Sequence, residues 1–382
     1  MTALVDLKKI ILIFGIIIFI LLSLVGCNPS LVNPDSKSEG TNVGLLLPYG
    51  SKIRGDEALA VSLENAARLA VSDLGYKKIR LLVYATEGNP KIAAQAAKKA
   101  VQDGAQIILG PLRSDVANSA AVAVAPLKIN VLTFSNNTAI SGGNLFLLGT
   151  SFDTISIRLT KYANALNSRQ WLLVHPNTKE GEIARDAIIS AAEKNNISIV
   201  ETISFELTTE GVVEAIPEIA SLAETTKVNT IMLTSNSAGA LPLLGQLLPE
   251  KGVDPKRIKY TGLSRWDVSK QTLKLPGLQG GWFVLPDPFL TKQFDTRYKT
   301  IFSQLPHPLA SLAYDGIAAI GALQKEGKNM SSKSLNYSSG FLGVNGLFRF
   351  TKRGTNERAL SIATIKKSQV IVIDPAPKSF TP

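Results

Sequence analysis

The chain has 382 residues, 45% hydrophobic and 19% charged, a balance that suits a packed globular protein and excludes a disordered one. Its formal net charge of +11 is scattered, with only short runs such as Lys77-Lys78, which argues against nucleic acid as a partner and leaves an anionic membrane or wall polymer open. Cys27 is the only cysteine, so no internal disulfide is expected.

The first residues read as an export signal. Lys8-Lys9 precede an apolar run over 10–22, and Leu24-Val25-Gly26-Cys27 follows. That run is shorter than the roughly 20 apolar residues of a spanning helix. A Cys directly after Leu-Val-Gly resembles the bacterial lipobox, which implies removal of 1–26 and lipidation of Cys27, with the membrane as partner through the lipid. Residues 27–41 are polar and rich in Pro and Ser, as a tether would be. Asn28, rather than Asp, follows the Cys, which favours the outer membrane under the enteric sorting rule.

The rest alternates strand and helix. Strand signals lie at 43–47 and 79–84. Apolar residues at Leu59, Leu63, Ala66, Leu69 and Ala70 predict an amphipathic helix over 58–73, and Asn89-Pro90 opens another that Gly104 stops. The stretch 107–140 is the most informative. Ile107 to Leu109 is a strand, Gly110-Pro111 ends it, and Ser114 is placed to N-cap an alanine-rich helix. Val131 to Phe134 is the next strand, followed by Ser135, Asn136, Asn137 and Thr138. A βαβ unit makes its strands parallel and gathers such polar loops at one sheet edge. That edge could take a small carboxylate or other polar ligand.

The alternation restarts after 150. Helices are expected at 153–166, 181–195 and 212–225, and strands at 170–174, 197–205, 230–233 and 258–261. Residues 262–288 read as irregular and hold Trp266 and Trp282. Helices at 294–304 and 310–324 follow, then one strand over 342–350 and two more at 362–365 and 370–373. The fold class is α/β with two doubly wound lobes.

An enzyme is excluded on inventory. No serine sits in G-x-S-x-G, no Walker A loop is present, and His175 and His307 are isolated beside prolines. No metal or cofactor is expected.

NVGLLLPYGS, ILGPLRS, NVLTFSNNT and AYDGIAAIGAL, in this order and spacing, resemble the type I periplasmic-binding-protein family, the leucine/isoleucine/valine-type receptors of ABC importers. The resemblance covers nearly all the chain after the tether. It implies lobe one at 42–150 plus 287–337 and lobe two at 151–286 plus 338–382, joined by three crossovers. It also implies that Ser114 and Thr138 hold a ligand carboxylate. The second-lobe loop after the 170–174 strand carries His175 and Asn177 without the usual Tyr, which leaves two readings of Trp266: a substitute clamp together with Asp267, or, the preferred one, a structural anchor in a long loop. Tyr49, Ser135, Asn136, Asn137 and Ser235 complete the expected cleft. TGLSRWD, GGWFVLPDP, GVNGLFRF, ERAL and DPAPKSF resemble a narrower branch, the penicillin-binding protein activator lipoproteins. Two functions follow as expectations: a regulator that contacts a penicillin-binding protein, with aromatics near Trp266 and Trp282 as candidate anchors that could equally be core, or a receptor that hands an amino acid to an ABC permease.

Overall fold

The computed structural model describes residues 40–73, 75 and 78–380. The expected signal segment, Cys27 and most of the tether lie outside these residues.

The first half builds a parallel sheet. Strands β1 (Thr41–Leu47), β2 (Ile79–Ala85), β3 (Ile107–Leu109), β4 (Val131–Thr133) and β5 (Leu145–Leu147) lie in the order β2-β1-β3-β4-β5. Helices α1 (Asp56–Asp73), α2 (Pro90–Gln102) and α3 (Ser114–Val124) connect the first four. Asn89 caps α2 by accepting from the Lys91 and Ile92 amides, and Pro90 occupies the first turn where no donor is needed. Side chains alternate along β1. Val43, Leu45 and Leu47 face α1, while Leu46 faces the alanines of α2 and α3.

The chain then crosses to a second set: α4 (Phe152–Ala165), β6 (Gln170–Pro176), α5 (Lys179–Lys194), β7 (Ser198–Phe205), α6 (Thr209–Thr225), β8 (Thr230–Leu233), α7 (Leu241–Glu250), β9 (Lys259–Gly262) and β10 (Trp282–Leu285). It returns through α8 (Pro288–Phe302), α9 (Ala310–Lys325) and the short α10 (Ser332–Leu335) to an antiparallel trio, β11 (Phe341–Gly343), β12 (Gly346–Phe350) and β13 (Asn356–Arg358). Finally β14 (Ser361–Lys366) and β15 (Gln369–Asp374) join the second sheet, whose order is β15-β14-β10-β9-β8-β6-β7. Helices α4 and α5 cover one face of it, α6 and α7 the other.

Three readings are corrected. Residues 262–288 are not wholly irregular: β10 is an interior strand, parallel to β9 and antiparallel to β14. The single strand expected over 342–350 is a hairpin, because Val344-Asn345 turn the chain and Gly346 adopts φ 99°. The last segment is also divided differently. Phe341, Phe348 and Phe350 pack into the first-lobe core beside Leu109 and Phe146, and only from Ser361 does the chain rejoin the second sheet.

Helix α9 is the first lobe's central support, with 13 of its residues buried. It lies so close to the sheet that a Cβ on Gly316 would stand 2.5 Å from Leu109 Cδ1.

Candidate functional site

The loops that follow the parallel strands of both sheets face one another, as expected of ligand sites in doubly wound folds. Between them lies a cavity of about 350 Å³. Asn136, Asn137 and Thr138 line it from the first lobe, and Phe152, Asp153, Lys179, Glu180 and Ile183 from the second. Phe152 and Ile183 supply apolar surface, Asp153 and Glu180 negative charge, and Lys179 positive charge. A smaller pocket of about 60 Å³ shares Phe152 and Glu180 and runs under the second lobe to Thr234 and Ser235. The hydroxyls of Thr234 and Ser235 are buried without a hydrogen-bond partner.

The first-lobe loops are held by one another. Ser114 Oγ lies 3.3 Å from Ser135 Oγ and accepts from Asn137 Nδ2 at 3.2 Å. Ser135 Oγ also accepts from the Asn137 amide, and Asn137 Oδ1 from the Ala139 amide, which starts the 3-10 turn Thr138–Ile140. The expected cap role of Ser114 is corrected. Helix α3 starts at Ser114, and Arg113 holds the cap position without a side-chain cap bond. The Arg113 guanidinium instead forks onto Asp56, at 2.6 and 2.9 Å.

That fork fixes the start of α1 beside the cleft loops. The hydrogen bond from Arg113 holds the Asp56 carboxyl below its ordinary value, against the opposing effect of burial. A carboxyl whose folded pKa is lowered gives its full stabilisation above the unfolded value of about 3.9 and loses it as pH falls through the lower folded value. Asp56→Asn is expected to cost on the order of 1–3 kcal/mol at neutral pH. It should also remove part of the acid sensitivity below about pH 4. Thermal melts across pH check both, and an acid limb identical to wild type counts against the fork.

The other expected cleft residues fare differently. Tyr49 donates to Glu64 at 2.8 Å, and burial together with Glu64 raises its hydroxyl pKa, so its polar end is committed to α1. His175 is buried inside β6, with Nδ1 3.0 Å from the Pro176 carbonyl oxygen. Asn177 is exposed and donates to Glu206. Asp267 pairs with Arg265. Of the two readings of Trp266, the anchor is the one observed: the side chain is fully buried and stacks on Phe283, with ring centroids 5.4 Å apart. Trp282 is 7% exposed and meets Tyr162 edge-on, so neither tryptophan offers a surface anchor.

Sequence reasoning missed Phe152, Asp153, Lys179, Glu180 and Ile183 as cleft residues. The available signal was the capping serine and threonine before them. Ser151 accepts from the Thr154 amide and Thr178 from the Gly181 amide, so α4 and α5 begin one and two residues earlier than their apolar periodicity implied. Among the described residues no cluster of His, Cys, Asp and Glu could hold a metal ion, and no helix is long and apolar enough to cross a membrane.

A comparison with curated proteins finds no match. Solved structures match in fold. A putative branched-chain amino acid ABC transporter protein from Rhodospirillum rubrum is 19% identical, with a TM-score of 0.74 over 87% of this chain and 100% of that one. A solute-binding protein from Rhodopseudomonas palustris in complex with benzoate is 17% identical, with a TM-score of 0.60 over 90% and 98%. The branched-chain amino acid transporter substrate-binding protein from Streptococcus pneumoniae in complex with isoleucine is 15% identical, with a TM-score of 0.58 over 88% and 100%. The sequence model of the periplasmic binding protein family matches residues 41–369, and with the two-lobed type I architecture this chain belongs to that family.

Proposed function

We propose that this chain is the solute-binding receptor of an ABC importer and takes a small polar solute of the amino-acid or small-carboxylate class between its lobes. The observation that carries this reading is the cavity of about 350 Å³ lined from both lobes. Ligand pockets for small molecules run from roughly 300 to 1,000 Å³. Relatives in fold hold isoleucine or benzoate, which supports the same class. The penicillin-binding-protein activator reading has less behind it. Its candidate surface anchors, Trp266 and Trp282, are core residues, and the neighbours in fold are transporter proteins. Export and a membrane tether at Cys27 are part of the proposal; mass spectrometry of the membrane fraction tests the tether, and an unmodified Cys27 refutes it.

The solute is tested by calorimetric titration with branched-chain amino acids and with aromatic carboxylates. Thr138→Ala and Asn137→Ala are each expected to weaken binding by about 1–3 kcal/mol if they hydrogen-bond a charged group. Asn137→Ala also removes one of the two side-chain partners of the Ser114 hydroxyl, the other being Ser135, so Ser114→Ala serves as its partner in a double-mutant cycle. Binding that ignores all three changes places the solute elsewhere, and no heat from either solute class overturns the proposed class.

A further inference from the structure

Strand β15 is the outer edge of the seven-stranded sheet, with β14 on one side and no strand on the other among the described residues. Val370, Ile371, Val372 and Ile373 are 36%, 41%, 37% and 39% exposed. Successive strand side chains point to opposite faces, so both faces of this edge are open. One strand inward the picture reverses: Ile362, Ala363 and Ile365 of β14 are fully buried. Edges of this kind are ordinarily blunted by charge, proline or a bulge. Between Gln369 and Asp374 there is no charge and no proline; the one register shift leaves Ile373 as an extra, bulged residue near the Asp374 end, so the regularly paired edge is Gln369 to Val372.

The backbone limits what can cover this edge. An edge strand turns alternate N–H and C=O groups outward. A lipid surface would take up the side chains and leave those groups unsatisfied, at several kcal/mol each. An added strand satisfies both. Charge then selects the strand and its direction. Lys366 and Lys367 lie at one end of β15 and Asp374 at the other, and the Asp374 side chain stays 40% exposed while paired with Arg158. An antiparallel second copy sets each lysine end beside the other copy's aspartate, whereas a parallel one sets like beside like.

We propose that β15 pairs antiparallel with β15 of a second copy of this chain, joining two seven-stranded sheets across a two-fold axis. The contact is isologous, and its centre is β-branched against β-branched, a favourable cross-strand combination. No cleft residue takes part, so it stands apart from the solute reading.

Sedimentation velocity of the full chain in detergent, over a micromolar concentration series, tests it. Wild type is expected to sediment as a dimer. Ile371→Lys is expected to give a monomer with an unchanged far-ultraviolet spectrum, because it sets two like charges across the axis. Ile371→Thr keeps strand propensity while removing apolar surface, and should raise the dissociation constant at least several-fold; it serves if the lysine variant does not fold. Val122→Lys, at a 64% exposed position on α3, should leave the dimer intact. A wild type that stays monomeric, a dimer that survives both Ile371 changes, or a monomer that binds anionic vesicles through Ile371 overturns the proposal.

Discussion

Asp315→Ala is expected to cost about 3–5 kcal/mol of folding stability, the penalty for stranding one charge of a buried pair. Asp315 and Arg358 have side chains 0% and 1% exposed, and their charged atoms are 2.8 Å apart. Asp315 Oδ1 accepts from the Val344 and Asn345 amides, and Oδ2 from Asn345 Nδ2 at 2.9 Å. Arg358 donates from Nε and Nη2 to the Leu148 carbonyl oxygen, and its guanidinium lies 4.8 Å from the Phe348 ring centre. One network therefore ties α9, the β11–β12 turn, the end of β13 and the chain just past β5. Two of those points, Leu148 and Arg358, flank places where the chain leaves the first lobe for the second. Removing the carboxylate leaves a buried guanidinium and three donors without their acceptor. Replacing both charges, as in Asp315→Leu with Arg358→Met, should recover only the part owed to the stranded guanidinium, since the Val344 and Asn345 donors and the Leu148 carbonyl still lack their partners. Urea melts of the two singles and the double check this. A loss below about 1 kcal/mol in Asp315→Ala would show that the pair is not the support described.

The same network explains why the sequence was legible as a family before it was legible as a site. Asp315 lies in AYDG, Asn345 in GVNG and Arg358 in ERAL, three short motifs far apart in the chain. They meet at one ion pair. TGLSRWD and GGWFV behave alike: a Cβ on Gly262 or Gly281 would come within about 3 Å of the Trp266 ring, so the glycines make room for the tryptophan. Motifs of this kind report packing that the architecture requires, and they carry little about the solute. Strands and helices with clean periodicity, such as α1 and β6, could be read directly. The hairpin at 344–345 was also signalled, by Gly343 and the turn-forming pair Asn345-Gly346, but the apolar residues on either side were read as one continuous strand. Cleft residues were legible where a loop follows a strand, as at 136–138. They were hidden where they ride on helix starts, as at 152–153 and 179–183, because helix periodicity reports the buried face and not the end that looks into the cleft.

Gly110→Ala is expected to have the second large effect, and it acts on both stability and the cleft. Gly110 ends β3 with φ 90°, in the region that side chains disfavour. Its amide donates to the Leu132 carbonyl oxygen at 2.8 Å, so the residue is fixed between β1 and β4. A Cβ there would stand 2.3 Å from the Leu46 carbonyl oxygen and 3.1 Å from Phe134 Cε2. The backbone oxygen belongs to an interior strand and has little room to retreat. Strain at φ costs roughly 1–3 kcal/mol and overpacking about as much again, so a loss on the order of 3–5 kcal/mol is expected. Gly327→Ala isolates the backbone part, because Gly327 has φ 67° and nothing within 4 Å of its would-be Cβ. It should cost only about 1–2 kcal/mol, the left-handed penalty alone. The surplus in Gly110→Ala measures how rigidly the β3 end is held, and that end leads straight into Arg113 and Ser114. The folded fraction should therefore also show weaker solute binding, while Gly327→Ala binds as wild type. Equal melting losses for the two variants would mean that β1 yields and that the 110–114 turn is not pinned by Leu46.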